Sequence, residues 1–162
     1  KSNGTMEFLL TAPLTHSMIV LGKYLSLLVF YSLLIGLTGI YYLIVEYFAE
    51  PDPFSMLSGY LGIWLEGAFF IAVGLLASSW TSNQIIAAIV SYLILFSLYF
   101  SSSFTQYTDG SAKQFLIQMS THTHLENFGI GIITPSDVVY YVAGIVLCLV
   151  LTRLSIDNRL WH

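Results

Sequence analysis

From Tyr24 to Val45 the chain carries no charged side chain, a stretch longer than the about 20 residues an α-helix needs to cross a bilayer. The surrounding apolar run, residues 17–48, stops at Glu46-Tyr-Phe-Ala-Glu50-Pro-Asp-Pro53. Three acids and two prolines there enforce a turn in water. Three further apolar runs follow, so that the spans read as about 17–47, 54–80, 84–100 and 137–154. The polar stretch Ser78-Ser-Trp-Thr-Ser-Asn-Gln84 separates the second from the third. The fourth starts at Thr134-Pro-Ser-Asp137, a capping Thr, a Pro at the first helical position and an acid three residues after the cap. Arg153 snorkels at its far end.

Composition decides the class. Hydrophobic residues make up 56% of the 162 and charged residues 9%, against about 25% charge in a soluble domain. The chain is therefore expected to be an all-α, polytopic membrane helix bundle of four spans, residues 17–162, preceded by a short segment, residues 1–16. The formal charge of −4 offers no basic face and excludes nucleic acid as a partner. Cys148 is the single cysteine; it lies in the last apolar run, forms no intrachain disulfide and reads as a small packing residue.

Four spans put both ends on one side. Lys1, Lys23, Arg153 and Arg159 share that side and Lys113 alone lies opposite, so both ends are expected to be cytoplasmic. Tyr41, Tyr42, Tyr47, Tyr99, Tyr107, Tyr140 and Tyr141 then form an outer aromatic belt, and Trp80 and Trp161 an inner one. Residues 101–136 form the outer loop. Their spaced apolar side chains, Phe115, Leu116, Met119, Leu125, Phe128, Ile132 and Ile133, predict one or two short helices at the outer leaflet.

No catalytic apparatus is visible. Leu21-Gly-Lys23 lacks the upstream Gly and the hydroxyl residue of a phosphate-gripping loop, so the chain does not hydrolyse ATP itself. Ser, His and acids are present without a motif that links them. His122 and His124 would point the same way on an extended segment, with Glu126 beside them, but no further ligand cluster completes a metal site. All four His, at 16, 122, 124 and 162, fall outside the span centres, where paired haem ligands would sit.

Glu66 is the odd residue, near the middle of the second span. A carboxylate at that depth is costly and should face the bundle interior, a cavity or a partner. Two readings stand: a protonated Glu making an interhelical hydrogen bond, and a group on a substrate path or proton relay. Small residues surround it, including the pairs Ala68/Ala72 and Gly74/Ser78, which favours packing.

The opening segment, Lys1-Ser-Asn-Gly-Thr-Met-Glu-Phe-Leu-Leu-Thr-Ala-Pro13, is short, amphipathic and placed directly before a span. It starts without a Met and within a pattern, and the chain reads as the latter part of a longer protein. Gly4-Thr-Met-Glu-Phe-Leu-Leu-Thr-Ala-Pro13 with Ile19-Val-Leu-Gly-Lys23 resembles the opening signature of type-2 ATP-binding-cassette (ABC-2) export permeases, closest to the gliding-motility-associated and copper-processing branch. Gly74-Leu-Leu-Ala-Ser-Ser-Trp-Thr-Ser-Asn-Gln84, His124-Leu-Glu-Asn-Phe128, Gly131-Ile-Ile and Asp137-Val-Val-Tyr-Tyr141 are similar to further elements of that branch, in order. Trp80 stands where the branch has an aliphatic residue, and Glu66 matches no family-wide acid.

The resemblance implies a six-span fold of which these are the last four, with residues 5–10 as the cytoplasmic coupling helix. It implies that Gly4, Thr5, Met6, Glu7, Phe8, Leu9, Leu10 and Pro13 meet a separate cytoplasmic ABC ATPase, which carries ATP and Mg. It further implies a dimer of permease copies, identical or homologous, in the inner membrane. Two rivals remain: a membrane anchor or assembly component of a motility or secretion machine, and an ion-coupled carrier that uses Glu66.

Overall fold

A computed structural model describes residues 16–49 and 51–159. The opening segment, with the expected coupling residues, lies outside the described residues, as does Trp161. The described chain is all-α, in the order α1 (His16–Ala49), α2 (Pro53–Trp80), α3 (Gln84–Phe100), a 3-10 helix (Ser101–Tyr107), α4 (Ser111–Met119), α5 (Thr121–Gly129) and α6 (Pro135–Arg159). The four long helices fall on the four apolar runs, and each, α3 together with the 3-10 helix that continues it, is long and apolar enough to cross a membrane.

Their ends follow local chemistry. At the start of α2 the Asp52 carboxylate accepts from the Phe54 and Ser55 amides at 3.3 and 3.1 Å and from the Ser55 hydroxyl at 2.7 Å. Pro53 occupies the first turn, where no amide is needed. Hydrogen bonds from Ser55 hold the Asp52 carboxyl below the usual carboxylate range. The cap is therefore complete above that range and is lost as pH falls through the lowered value. Asn83 does the same for α3, accepting from Ile85 N at 2.9 Å. Two short polar stretches thus restart helices that lipid would otherwise leave with orphan amides.

α2 is the centre of the bundle and packs against α1, α3, α5 and α6. Its stripe Gly62, Phe69, Val73 and Leu76, together with Leu65 and Ala72, supplies most of the buried core, following helical spacing. Against α1 the seam is held by the polar tips of large aromatics. Tyr24 donates to Ala68 O at 3.2 Å, Tyr31 to Ile63 O at 2.8 Å and Tyr60 to Thr38 O at 2.8 Å. Trp64 Nε1 donates to Ser32 Oγ at 2.8 Å. Each ring buries area in the seam while its donor finds an oxygen. Ala68 and Ala72 lie buried inside the subunit, whereas Gly74 and Ser78 line an open crevice beside α3.

The 3-10 helix, α4 and α5 form a cap over one end of the bundle. Ser101 Oγ donates to Leu116 O at 3.1 Å and Ser120 Oγ to Tyr99 O at 3.2 Å. Of the apolar cap residues only Phe128 is buried; it lies on Gly62, where a Cβ would stand 2.5 Å from Phe128 Cβ. After α5 the chain turns back through Gly131, whose φ of 82° places it in the left-handed region.

The belt reading needs one correction. Tyr41, Tyr47 and Tyr107 are exposed, but Tyr141 is fully buried and donates to Thr121 O at 3.1 Å. Its neighbour Tyr140 is half-buried and donates to Met119 O at 2.7 Å. Both tie α6 to the cap, because the cap sits on the end of the helix and covers them.

The Gly62–Phe128 contact leads to a measurable expectation. Gly62→Ala should lower stability by about 1–3 kcal/mol, the usual cost of overpacking, since Phe128 Cβ belongs to a rigid part of its side chain. Gly59→Ala, where no atom lies within 4 Å of the new Cβ, should not destabilise. Thermal unfolding of both variants in detergent tests this; equal melting temperatures would remove Phe128 as the anchor of the cap.

Candidate functional site

Two polar features stand out within the apolar bundle. The first lies where the cap meets α6. Asp137, in the first turn of α6, is only 2% exposed. Its Oδ1 lies 2.6 Å from His124 Nδ1, and its Oδ2 accepts from Asn127 Nδ2 at 3.0 Å and from the Thr134 hydroxyl. His124 Nε2 faces Gln118 O at 3.1 Å. Both ring nitrogens therefore face acceptors, one a carboxylate and the other a backbone carbonyl. The ring also stacks on Tyr140, with centroids 4.1 Å apart. One carboxylate thus gathers α5, the turn after it and α6, and the His joins the last turn of α4.

This arrangement differs from two sequence expectations. Thr134 does not cap α6 with its hydroxyl oxygen; it donates to Asp137 instead, because the short Asp side chain is drawn to His124 and Asn127. His122 and His124 do not point the same way either. They sit on a helix, where residues two apart do not face each other. His122 stands edge-on to Tyr99 at 5.1 Å on α3, while His124 faces α6. The cluster was hidden in the sequence because its members come from three segments. Its only linear trace was an acid at the start of an apolar run and a His thirteen residues upstream.

The second feature is Glu66, half-buried on α2 within electrostatic reach of Tyr31 on α1 and of Tyr140 and Tyr141 on α6. Its Oε1 is buried and has no hydrogen-bond partner among the described residues. The expected interhelical bond is therefore not seen at that oxygen. The Tyr31 hydroxyl donates to Ile63 O instead, and its ring lies over Gly67, where a Cβ would stand 2.1 Å from Cζ. Tyr140 stands between the two features, stacked on His124 and within electrostatic reach of Glu66; the expected coupling residues lie outside the described residues.

Removing the carboxylate at the centre of the cluster should free the cap. Asp137→Ala leaves the His124 ring, the Asn127 amide and the Thr134 hydroxyl without their acceptor, at about 1–3 kcal/mol for buried groups left unpaired. Hydrogen exchange followed by mass spectrometry should show faster exchange across α5, with α1 and the middle of α2 unchanged. Unchanged exchange in α5 would mean that Phe128 and the Ser120, Tyr140 and Tyr141 hydrogen bonds hold the cap without the carboxylate.

Comparison with known proteins supplies the family. No curated protein and no solved structure matches the chain. The family model described as ABC-2 family transporter protein matches residues 1–157, nearly the whole sequence and all four apolar helices. The chain is a membrane domain of the ABC-2 transporter family and belongs to it.

Proposed function

We propose that this chain is the membrane-spanning permease subunit of an ATP-driven ABC-2 exporter of the gliding-motility-associated branch. The observation that carries the reading is the family match over residues 1–157, which takes in the opening segment as well as the helices. Residues 1–16 are the coupling segment and 17–162 the transmembrane domain. On a helix over residues 5–10, Met6, Leu9 and Leu10 share one side, three and four residues apart, and make an apolar knob for a groove on a cytoplasmic ABC ATPase. Gly4, Thr5, Glu7, Phe8 and Pro13 frame it. ATP and Mg are held by that ATPase. A second permease copy, identical or homologous, encloses the path with this one. Closure of the ATPases moves the coupling segments and rocks the bundles between inward- and outward-facing states. Both ends lie in the cytoplasm and the α4–α5 cap on the outer side of the inner membrane, as the distribution of Lys and Arg favours.

Met6→Asp with Leu10→Asp tests the force path. The double variant should insert normally but lose the co-purifying ATPase, or leave ATP hydrolysis insensitive to the permease. Retention of the ATPase at wild-type yield, with wild-type stimulation of hydrolysis, would sink the coupling role. Because ATP is cytoplasmic, the same complex also fixes the side on which the segment lies.

Glu66 is assigned a packing role on α2, because small residues surround it and no second acid accompanies it. Glu66→Gln keeps the shape, so the reconstituted complex should assemble and hydrolyse ATP at close to the wild-type rate. Flux driven by a proton gradient without ATP, abolished by Glu66→Gln, would favour the ion-coupled carrier instead.

A further inference from the structure

A crevice of about 850 Å³ opens along the bundle between α3 and α6, with α2 as its floor. α3 and α6 both lean on α2 but do not pack along one another, so that among the described residues the gap between them is open at the side. Phe69, Val73, Leu76 and Cys148 form the buried floor; Ile94 and Leu98 line the α3 wall, and Ala143 and Leu147 the α6 wall. The cap closes one end with Phe115 and Met119, and the polar groups of the lining, Gln118, His124, Ser136 and Tyr140, gather at that end. Trp80 marks the other.

We propose that this crevice binds one acyl chain of a bilayer phospholipid, with the polar end of the lipid at Gln118 and Ser136. Length is the first reason. At about 1.5 Å of rise per residue, Ser136 to Leu147 spans roughly 17 Å. That is close to half of the about 30 Å hydrocarbon core, the depth of one leaflet. A transmembrane helix would need the full thickness, and the cap blocks it. Lining chemistry is the second. Helices meet in membranes over small residues; Ala143 and Gly144 are small, but Ile94, Leu98, Val139 and Leu147 make up much of the two walls. The cleft at Gly144 is already filled by Phe69, since a Cβ there would stand 2.7 Å from Phe69 Cε2. A flexible chain follows such a surface and a helix does not. Polarity is the third, because His124 spends both nitrogens on Asp137 and Gln118 O while the Gln118 side chain and Ser136 remain exposed at headgroup level. The assignment stands independently of ATP coupling and goes beyond the exporter reading.

The test uses the full chain in phosphatidylcholine vesicles doped with phosphatidylcholine that carries a diazirine within one acyl chain. After illumination, mass spectrometry maps the adducts. A diazirine near the methyl end should label Val73, Leu76 or Cys148 on the floor, and one near the carboxyl end should label Met119 or Tyr140. Ala143→Phe from one wall, or Ile94→Trp from the other, should abolish floor adducts while adducts on lipid-facing Leu33 and Leu37 of α1 persist. Two variants are needed because either alone could disturb folding, which those α1 adducts and size-exclusion chromatography report. An unlabelled floor would overturn the proposal, whether or not Leu98→Cys in a Cys148→Ser background then forms disulfide-linked dimers through the same face. Floor adducts undiminished in both folded variants would overturn it too.

Discussion

Close approach to α2 is what the rest of the structure depends on. In hydrocarbon the apolar side chains of two helices gain little from leaving lipid for each other, so packing and interhelical hydrogen bonds must hold them. α2 supplies both. Gly62 admits Phe128 of the cap, Gly67 admits the Tyr31 ring, and Ala68 and Ala72 lie wholly buried. Where the backbones come close, the hydroxyls of Tyr24 and Tyr31 reach carbonyl oxygens of α2 across the seam. α1 can therefore expose nearly all its apolar surface, with none of its most apolar window buried, and still stay attached.

The cap obeys a different rule. Besides the Phe128–Gly62 contact and the hydrogen bonds from Tyr140 and Tyr141, it is held by one buried carboxylate. Asp137 is buried with partners from three segments, which sets the angle between α5 and the start of α6. Such a network holds firmly while every member is satisfied and weakens sharply when one is lost. At the opposite end Ser155 Oγ of α6 donates to Ser79 O of α2 at 3.3 Å, and Cys148 joins the α2 core beside Leu76.

Glu66 lies between these regimes. Small neighbours leave room for it, but its buried oxygen lacks a partner, and the nearest hydroxyls, on Tyr31, Tyr140 and Tyr141, are committed to backbone carbonyls.

The residues by themselves determined the class, the number of long helices and their limits. Lipid requires uninterrupted apolar runs and internally paired backbones, and both are properties of local composition. The starts of the second and third spans, at about 54 and 84, were legible from the prolines and polar residues that interrupt the apolar runs, while the capping by Asp52 and Asn83 appeared only in the structure. The resemblance carried by the Gly4–Pro13 signature was borne out at the level of the family. Tertiary structure alone decided that Phe128 of the outer loop and Asp137 and Tyr141 of the fourth span face inward, that His122 and His124 diverge, and that α3 and α6 leave a gap between them. Those outcomes depend on which elements meet across 13 to 76 residues. A single sequence records the donors and acceptors but not which of them find each other.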